Sequence, residues 1–198
     1  MDTSLVHALN HFFVGHDGVE DPVVGFVDAA EVLFLGMLVV AFLVVWGQRR
    51  RMTQRAVVAA GASAGVALAI AQVLSRVVER PRPFVAHPEA VHLFARHAAD
   101  SSFPSDHATA AFAIGVALLL RQRAWGAIVL VLATVLAVGR VAMGIHYPSD
   151  VIAGASLGGA VAVALWTGPV RQLLERVADV VGGALDGALG AAWAARSR

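Results

Sequence analysis

The sequence predicts an all-α protein, a bundle of five to six transmembrane helices with its functional site at the outer face. Three observations lead to this fold class. Hydrophobic residues make up 58% of the 198 residues and charged residues only 15%, with a mean hydropathy of +0.72, a composition typical of a membrane domain. The apolar residues form stretches suited to crossing a bilayer. The polar residues capable of chemistry gather at one side of these stretches.

The first predicted element is a short helix within residues 1–20. The stretch SLVHALNHFF places apolar residues at near-helical spacing, namely Leu5, Val6, Leu9, Phe12 and Phe13. A short segment of this kind suits a helix that lies in the membrane interface. The N-terminal region lacks the basic residues of a signal peptide, so we expect it to remain in the mature protein.

Residues 22–168 are predicted to form a transmembrane core. Five apolar stretches suit crossings: Pro22 to Trp46, Ala56 to Val78, His107 to Leu120, Ala124 to Gly139 and Pro148 to Thr167. The third stretch has fourteen residues, or roughly 21 Å of helix, whereas the hydrocarbon core is about 30 Å thick. We therefore expect that its start is recessed below the outer surface, or that the bilayer is thinned there.

The C-terminal part completes a single membrane domain, residues 1–198. Residues 170–198 alternate apolar with charged side chains, which predicts an amphipathic helix or a weak sixth crossing packed on the bundle. In the fifth stretch, Gly154, Gly158 and Gly159 lie with Ala155 and Ser156 on a small-residue face suited to close helix packing.

The placement of basic residues predicts the orientation. All fifteen are Arg, and none is Lys. With the N-terminus outside, the inner segments hold most of them, as the positive-inside rule requires: Arg49, Arg50, Arg51, Arg55, Arg121, Arg123, Arg171, Arg176, Arg196 and Arg198. The Arg residues on the outer side then need a local explanation.

Three polar blocks supply that explanation, and the predicted topology places all of them outside. They are SRVVERPRPF from Ser75, FPSDH from Phe103 and GRVAMGIHYPSD from Gly139. Each block alone has an ordinary structural explanation, because Pro ends helices, Ser caps them, and His and Arg are common at membrane interfaces. Their convergence on one side indicates a functional site instead.

The residue types in these blocks suit phosphate binding. Arg82 and Arg140 carry forked guanidinium groups that match phosphate oxygens. The free backbone N–H groups at the helix start after Pro104 favour an anion, and Ser105 adds a hydroxyl. With no Cys in the chain, thiolate nucleophiles, thiolate metal sites and disulfides are excluded.

Histidines in the same blocks suit phosphoryl transfer. His146 can act as the nucleophile on phosphorus if a carboxylate holds its other ring nitrogen, and Asp150 is near enough in sequence to do so. His107 remains as the proton donor to the leaving oxygen. His97 and Asp100, with other loop His residues, could be metal ligands, but they lack metal-site spacing, so we predict a loop without a catalytic metal.

The blocks resemble the three signature motifs of the type 2 phosphatidic acid phosphatase and vanadium haloperoxidase superfamily, which read K-x6-R-P, P-S-G-H and S-R-x5-H-x3-D. Within it, the stretches ERPRPFVAH, ARHAADSSFPSDH and GIHYPSDV resemble the bacitracin-resistance type of undecaprenyl pyrophosphatase. The resemblance implies the roles of phosphate ligand, general acid, nucleophile and orienting carboxylate for residues already singled out: Arg82, Ser105, His107, Arg140, His146 and Asp150. It also implies catalysis without a cofactor.

This chain departs from the family motifs at three positions. Ser75 stands where the first motif has Lys, Asp106 replaces the Gly of P-S-G-H, and Gly139 replaces the Ser before the third-motif Arg. Asp106 is added to the expected phosphate site because it lies inside the second motif. Arg76 is the candidate to supply the missing Lys charge, although adjacent residues of a helix point about 100° apart.

Together these observations predict an undecaprenyl-diphosphatase in a bacterial plasma membrane, with its active site on the extracytoplasmic face. It would recycle the lipid carrier of cell-wall synthesis and confer bacitracin resistance. Its expected partners are a polyprenyl pyrophosphate and membrane lipids, not nucleic acid. Two alternatives stay open: a phosphatase or phosphotransferase acting on phosphatidic acid, phosphatidylglycerophosphate or another lipid, and a transporter with an outer polar gate. The sequence leaves the oligomeric state open.

Overall fold

A computed structural model describes residues 2–47, 51–95 and 97–196, and this part of the chain is helical without a β-strand. The helices in chain order are α1 Asp2–Val14, α2 Asp17–Gly47, α3 Arg51–Val78, α4 Pro83–Ala86, α5 Asp106–Leu119, α6 Arg123–Ala142, α7 Pro148–Trp166 and α8 Gly168–Arg196. The all-α prediction is confirmed.

The short helix α5 lies at the centre of the bundle and packs against α3, α6 and α7. Small residues allow α7 to approach it closely. A Cβ atom at Gly158 would lie 2.2 Å from the Thr109 carbonyl oxygen, and one at Gly154 would lie 2.6 Å from the Ser105 carbonyl oxygen. A Cβ at Gly159 would meet only a Val116 side chain, at 3.7 Å. The predicted small-residue face is confirmed for Gly154 and Gly158, whereas Gly159 lies beside the contact.

The five predicted crossings correspond to α2, α3, α5, α6 and α7. In the described residues, α3, α6 and α7 are long and apolar enough to cross a membrane, and α2 adds a fourth span if its two bent halves, Gly18–Ala30 and Val32–Phe42, count as one. Helix α5 has 14 residues and is the short apolar helix that the sequence predicted. Helix α5 is therefore too short for its two ends to lie at opposite surfaces of the membrane.

Helix α8 packs on α3 and α7 at the end of the bundle away from the polar blocks. Arg55 of α3 donates to the Asp179 carboxylate at 2.6 Å, and Arg121 lies 3.6 Å from Glu175. In the part of the chain described, α8 is not among the helices found long and apolar enough to cross a membrane. The two alternatives for residues 170–198, an amphipathic helix or a sixth crossing, stay predictions.

Candidate active site

The three polar blocks meet where α5 begins. Ser105 is fully buried, and its Oγ accepts a hydrogen bond from the Ala108 N–H at 3.4 Å, which caps α5. The Ser105 N–H donates to the Asp150 carbonyl oxygen at 3.1 Å, and the Ser102 N–H donates to the Arg80 carbonyl oxygen at 2.8 Å. Backbone hydrogen bonds therefore join the second block to the other two.

His146 is the centre of this arrangement, with only 2% of its surface exposed. Its Nδ1 lies 2.8 Å from the Ser102 carbonyl oxygen, so Nδ1 carries the proton and donates it. Nε2 lies 3.2 Å from Nη1 of Arg82 and 3.1 Å from Nη2 of Arg140. Because guanidinium groups only donate, Nε2 holds the lone pair. The ring is thus in the tautomer that a nucleophile needs.

The surroundings of His146 also keep the ring neutral. Burial lowers its pKa from 6.5 to about 4; the charges of Arg140 and Arg82 act in the same direction, and the Asp150 carboxylate opposes them. At neutral pH the imidazole is therefore unprotonated at Nε2 and available for attack.

Arg82 and Arg140 are each 5% exposed and approach Nε2 from two elements, the start of α4 and the last turn of α6. Arg82 also donates from Nε to the Asp100 carboxylate at 2.8 Å. The buried Nε of Arg140 has no hydrogen-bond partner in the described part of the chain. Two guanidinium groups with unused or exchangeable donors next to a histidine lone pair form a site for the oxygens of a phosphate.

His97 and Asp100, which the sequence analysis assigned to an ordinary loop, contact these two arginines. Nε2 of His97 lies 3.2 Å from Nη2 of Arg140, and burial lowers the pKa of His97. For Asp100, burial acts to raise the pKa, but the hydrogen bond and charge of Arg82 outweigh it and lower the pKa overall. The loop therefore supplies partners for both arginines.

Asp150 is fully buried at the start of α7, but it does not make the direct bond to His146 that the sequence predicted. Its Oδ2 lies 3.8 Å from Nδ1 of His146 and accepts the Tyr147 N–H at 2.8 Å instead. The Ser102 carbonyl oxygen takes the position at Nδ1. Asp150 therefore acts on the ring through its charge, while a backbone carbonyl fixes the tautomer.

Arg80, which the sequence analysis did not select, also contacts the site. Its Nη1 donates to Oδ1 of Asp150 at 2.7 Å. The stretch RPRP contains two Arg-Pro pairs that look alike in sequence. The fold separates them, because Arg82 faces Nε2 of His146 and Arg80 faces the carboxylate of Asp150.

Three further residues were predicted for the site, and their surroundings differ: His107, Asp106 and Arg76. His107, in the first turn of α5, is partly exposed and within electrostatic reach of Arg140 and His146. Asp106 accepts a hydrogen bond from Gln72 of α3 at 2.8 Å, while its buried Oδ1 has no partner among the described residues. Arg76 is exposed near the end of α3 and forms no hydrogen bond or ion pair within the described chain. Its phosphate contact therefore stays a prediction.

The packing of α2 explains one of the three motif departures. A Cβ atom at Gly139 would lie 2.6 Å from a methyl carbon of Val27 and 3.0 Å from one of Val23. The family's Ser at this position would therefore collide with α2. For Ser75, which is half-buried beside Arg76, the structure offers no substitute for the Lys charge.

The chain is similar in sequence to known lipid phosphatases. The chain is 34% identical to an undecaprenyl-diphosphatase of Bacillus subtilis over 147 residues, which is 74% of this chain and 72% of that protein. It is 41% identical to a decaprenylphosphoryl-5-phosphoribose phosphatase of Mycobacterium tuberculosis over 128 residues, 64% of this chain and 68% of the relative.

The fold has a solved counterpart as well. The crystal structure of a transmembrane phosphatidylglycerolphosphate phosphatase from Bacillus subtilis superposes with a TM-score of 0.67 at 20% identity, covering 83% of this chain and 82% of the other. The sequence profile of the PAP2 superfamily matches residues 56–173, a range that contains all three polar blocks. The chain therefore belongs to the PAP2 superfamily of membrane phosphatases.

Proposed function

We propose that this protein hydrolyses undecaprenyl pyrophosphate to undecaprenyl phosphate and inorganic phosphate on the outer face of a bacterial plasma membrane. The observation that carries the proposal is the placement of Nε2 of His146, a buried lone pair between Arg82 and Arg140. A phosphoryl group bound by these two arginines lies next to a neutral imidazole. The bacitracin-resistance role and the recycling of the lipid carrier follow from this activity.

The proposed reaction has two steps. Nε2 of His146 attacks the terminal phosphorus, and the bond from phosphorus to the bridging oxygen breaks as the new P–N bond forms. Arg82, Arg140 and the N–H groups at the start of α5 stabilise the charge on the equatorial oxygens. His107 gives its proton to the leaving oxygen. It then takes a proton from the water that attacks the phosphohistidine, the P–N bond breaks, and phosphate and Nε2 of His146 are released.

The substrate class follows from charge and from depth. A pyrophosphate carries more negative charge than a phosphate monoester, and an arginine-rich site stabilises it more strongly. The site lies at the polar end of a helix too short to span the bilayer, so the headgroup can enter while the prenyl chain stays in the lipid. The similarity to the undecaprenyl-diphosphatase of Bacillus subtilis supports the same choice.

A second candidate is a prenyl phosphosugar phosphatase. The higher identity, 41%, to the decaprenylphosphoryl-5-phosphoribose phosphatase of Mycobacterium tuberculosis favours it. Such a substrate shares the long prenyl chain but presents a terminal phosphate monoester on a sugar. The two candidates therefore differ in the leaving group and in the space needed beyond the phosphate.

Phosphate release by the purified chain in detergent tests both candidates. The panel comprises undecaprenyl pyrophosphate, decaprenylphosphoryl-5-phosphoribose, phosphatidylglycerophosphate and phosphatidic acid, each compared by kcat/KM. We expect the highest value for undecaprenyl pyrophosphate. A higher value for the phosphosugar would establish the second candidate, and a lack of release from every lipid would favour the transporter alternative.

A further inference from the structure

The N-terminal helix α1 is bonded to both ends of the loop that carries His146. We call residues 142–149 the catalytic loop, which joins α6 to the first turn of α7. At the α6 end, Nδ2 of Asn10 donates to the carbonyl oxygens of Ala142 and His92, each at 2.8 Å, and Oδ1 of Asn10 accepts the His92 N–H at 2.8 Å. Asn10 is only 2% exposed, so this anchor is shielded from water.

At the α7 end, Arg80 joins α1 to the catalytic loop. Its Nη1 donates to Oδ1 of Asp150 and to Oγ of Ser149, both at 2.7 Å, and its Nη2 donates to the Asp2 carboxylate at 3.2 Å. The Ser149 hydroxyl also donates to Asp2. The guanidinium carbon lies 3.9 Å from the centre of the Tyr147 ring. Arg80 is thus held between a carboxylate of α1 and the buried carboxylate of the active site.

Apolar packing joins the two anchors. Val6 of α1 is fully buried and belongs to the same cluster as Val141, Tyr147 and Val151. The side of α1 that carries Asp2, Val6 and Asn10 therefore contacts the catalytic loop along its length. The match to the superfamily begins at residue 56, so α1 lies outside the matched range.

The connection between α1 and the catalytic loop bears on catalysis through the charge of Asp150. Asp150 has no exposed surface, and Arg80 lies much closer to it than His146 does, at 2.7 Å against 3.8 Å. A buried carboxylate that loses its cationic partner is strongly destabilised. When Nε2 of His146 is phosphorylated, the ring becomes positive, and the fixed carboxylate beside it stabilises that charge. Arg80 thus affects the nucleophile without contacting the phosphate position.

We propose that Arg80 and Asp2 are positioning residues: Asp2 of α1 fixes Arg80, and Arg80 fixes the Asp150 carboxylate beside His146. The inference rests on the proposed role of His146 as nucleophile. It predicts a defect in the chemical step and not in binding, because Arg82 and Arg140 keep their positions at Nε2. It also predicts that Asp2 acts only through Arg80.

The test measures kcat and KM of the full-length chain in detergent with undecaprenyl pyrophosphate. We expect Arg80→Gln to lower kcat about 10- to 100-fold, as for other partners that orient a catalytic group, with KM changed less than about threefold. Asp2→Asn should lower kcat by a smaller factor, and Arg80→Lys should restore part of the loss. The double variant Asp2→Asn with Arg80→Gln should be no slower than Arg80→Gln alone, because residues acting in series are not additive.

Matched controls separate positioning from general damage. Asp21→Asn removes an exposed carboxylate, and Arg123→Gln removes an exposed guanidinium at the end of α6 opposite Arg140. Both variants should keep wild-type kcat, and the thermal midpoint of every variant is recorded. Wild-type kcat in Arg80→Gln, or factors that multiply in the double variant, would overturn the proposal. If Arg80→Gln does not fold, the double variant of Asp2→Asn with Arg80→Lys tests the same non-additivity.

The wild-type enzyme distinguishes this inference from the proposed function. The proposed substrate would be contradicted if the wild type hydrolysed decaprenylphosphoryl-5-phosphoribose and not undecaprenyl pyrophosphate. The same variants, compared on that lipid, would then decide the role of Arg80. Normal wild-type turnover with unaffected variants would contradict only the positioning role.

Discussion

The two ring nitrogens of His146 have different neighbours, and this difference determines which nitrogen can attack phosphorus. Nδ1 faces the Ser102 carbonyl oxygen, whereas Nε2 faces the donors of Arg82 and Arg140. Rapid quenching with substrate labelled in the terminal phosphate should therefore trap an acid-labile, base-stable phosphohistidine. His146→Ala should lose both the trapped label and turnover, while Arg123→Gln keeps both.

Activity measurements with EDTA and vanadate distinguish this mechanism from metal-assisted hydrolysis. A site that stabilises charge with arginines should keep its activity in EDTA and be inhibited by vanadate, which mimics the pentacoordinate transition state. Activity lost in EDTA and restored by a divalent ion, without a trapped phosphoenzyme, would contradict the histidine nucleophile.

Burial of His146 makes a separate prediction for stability. Its pKa is about 4 in the folded protein, below the ordinary 6.5, so the unfolded chain binds more protons between these two values. The free energy of unfolding should therefore rise with pH from about 4 to 6.5, by at most roughly 3 kcal/mol from this group. Thermal midpoints measured across this pH range should rise less steeply in His146→Gln than in the wild type. Equal slopes would show that the folded state does not suppress protonation of this ring.

Sequence patterns could predict the residues that act through side chains in a fixed motif. Arg82, Ser105, Arg140 and His146 were found in this way, and the structure brings them together. The Ser102 contribution could not be found, because a backbone carbonyl is present in every residue and only the fold selects one.

At the scale of helices, the close contact between α5 and α7 makes the strongest structural prediction. Gly158→Ala would place a methyl group 2.2 Å from the Thr109 carbonyl oxygen, so the two helices must separate. We expect a loss of about 1–3 kcal/mol of stability, the usual cost of overpacking. Activity should fall together with stability, because Ser105 caps α5 and Asp150 lies in the first turn of α7.

Gly159→Ala is the matched control, since its new methyl group would meet only a side-chain carbon of Val116 at 3.7 Å. It should retain the thermal midpoint and the turnover of the wild type. Equal effects of the two substitutions on the midpoint would show that helix propensity, and not the contact, is responsible. Thermal unfolding in detergent, followed by fluorescence of the Trp residues, provides the measurement.

Helix positions were more predictable from the sequence than the contacts that the helices make. Hydropathy located the helices that form the core, and the predicted third stretch, His107 to Leu120, matches α5 to within one residue at each end. The short helix α4 was not predicted, because its Pro-rich sequence indicated a loop. The role of α1 was also missed, since its anchors Asp2 and Asn10 bond to residues far away in sequence.

For the whole molecule, the distribution of charge separates the two ends of the bundle. The site lies at the end where α5 and α7 begin, and the salt bridges of Arg55 and Arg121 with α8 lie at the other end. The positive-inside rule predicts that the second end faces the cytoplasm. A lipid pyrophosphate released on the outer leaflet would then reach the site without crossing the membrane.

Cysteine labelling in intact cells tests this orientation. The chain has no Cys, so a single introduced thiol reports one position. Ala90, between α4 and α5, and Ala124, in the first turn of α6, are both exposed. A membrane-impermeant maleimide should label Ala90→Cys in intact cells and Ala124→Cys only after permeabilisation. Because both variants replace Ala with Cys at exposed positions, their difference reports membrane side and not reactivity. The opposite pattern would place the active site in the cytoplasm and contradict the proposed recycling of the lipid carrier at the outer face.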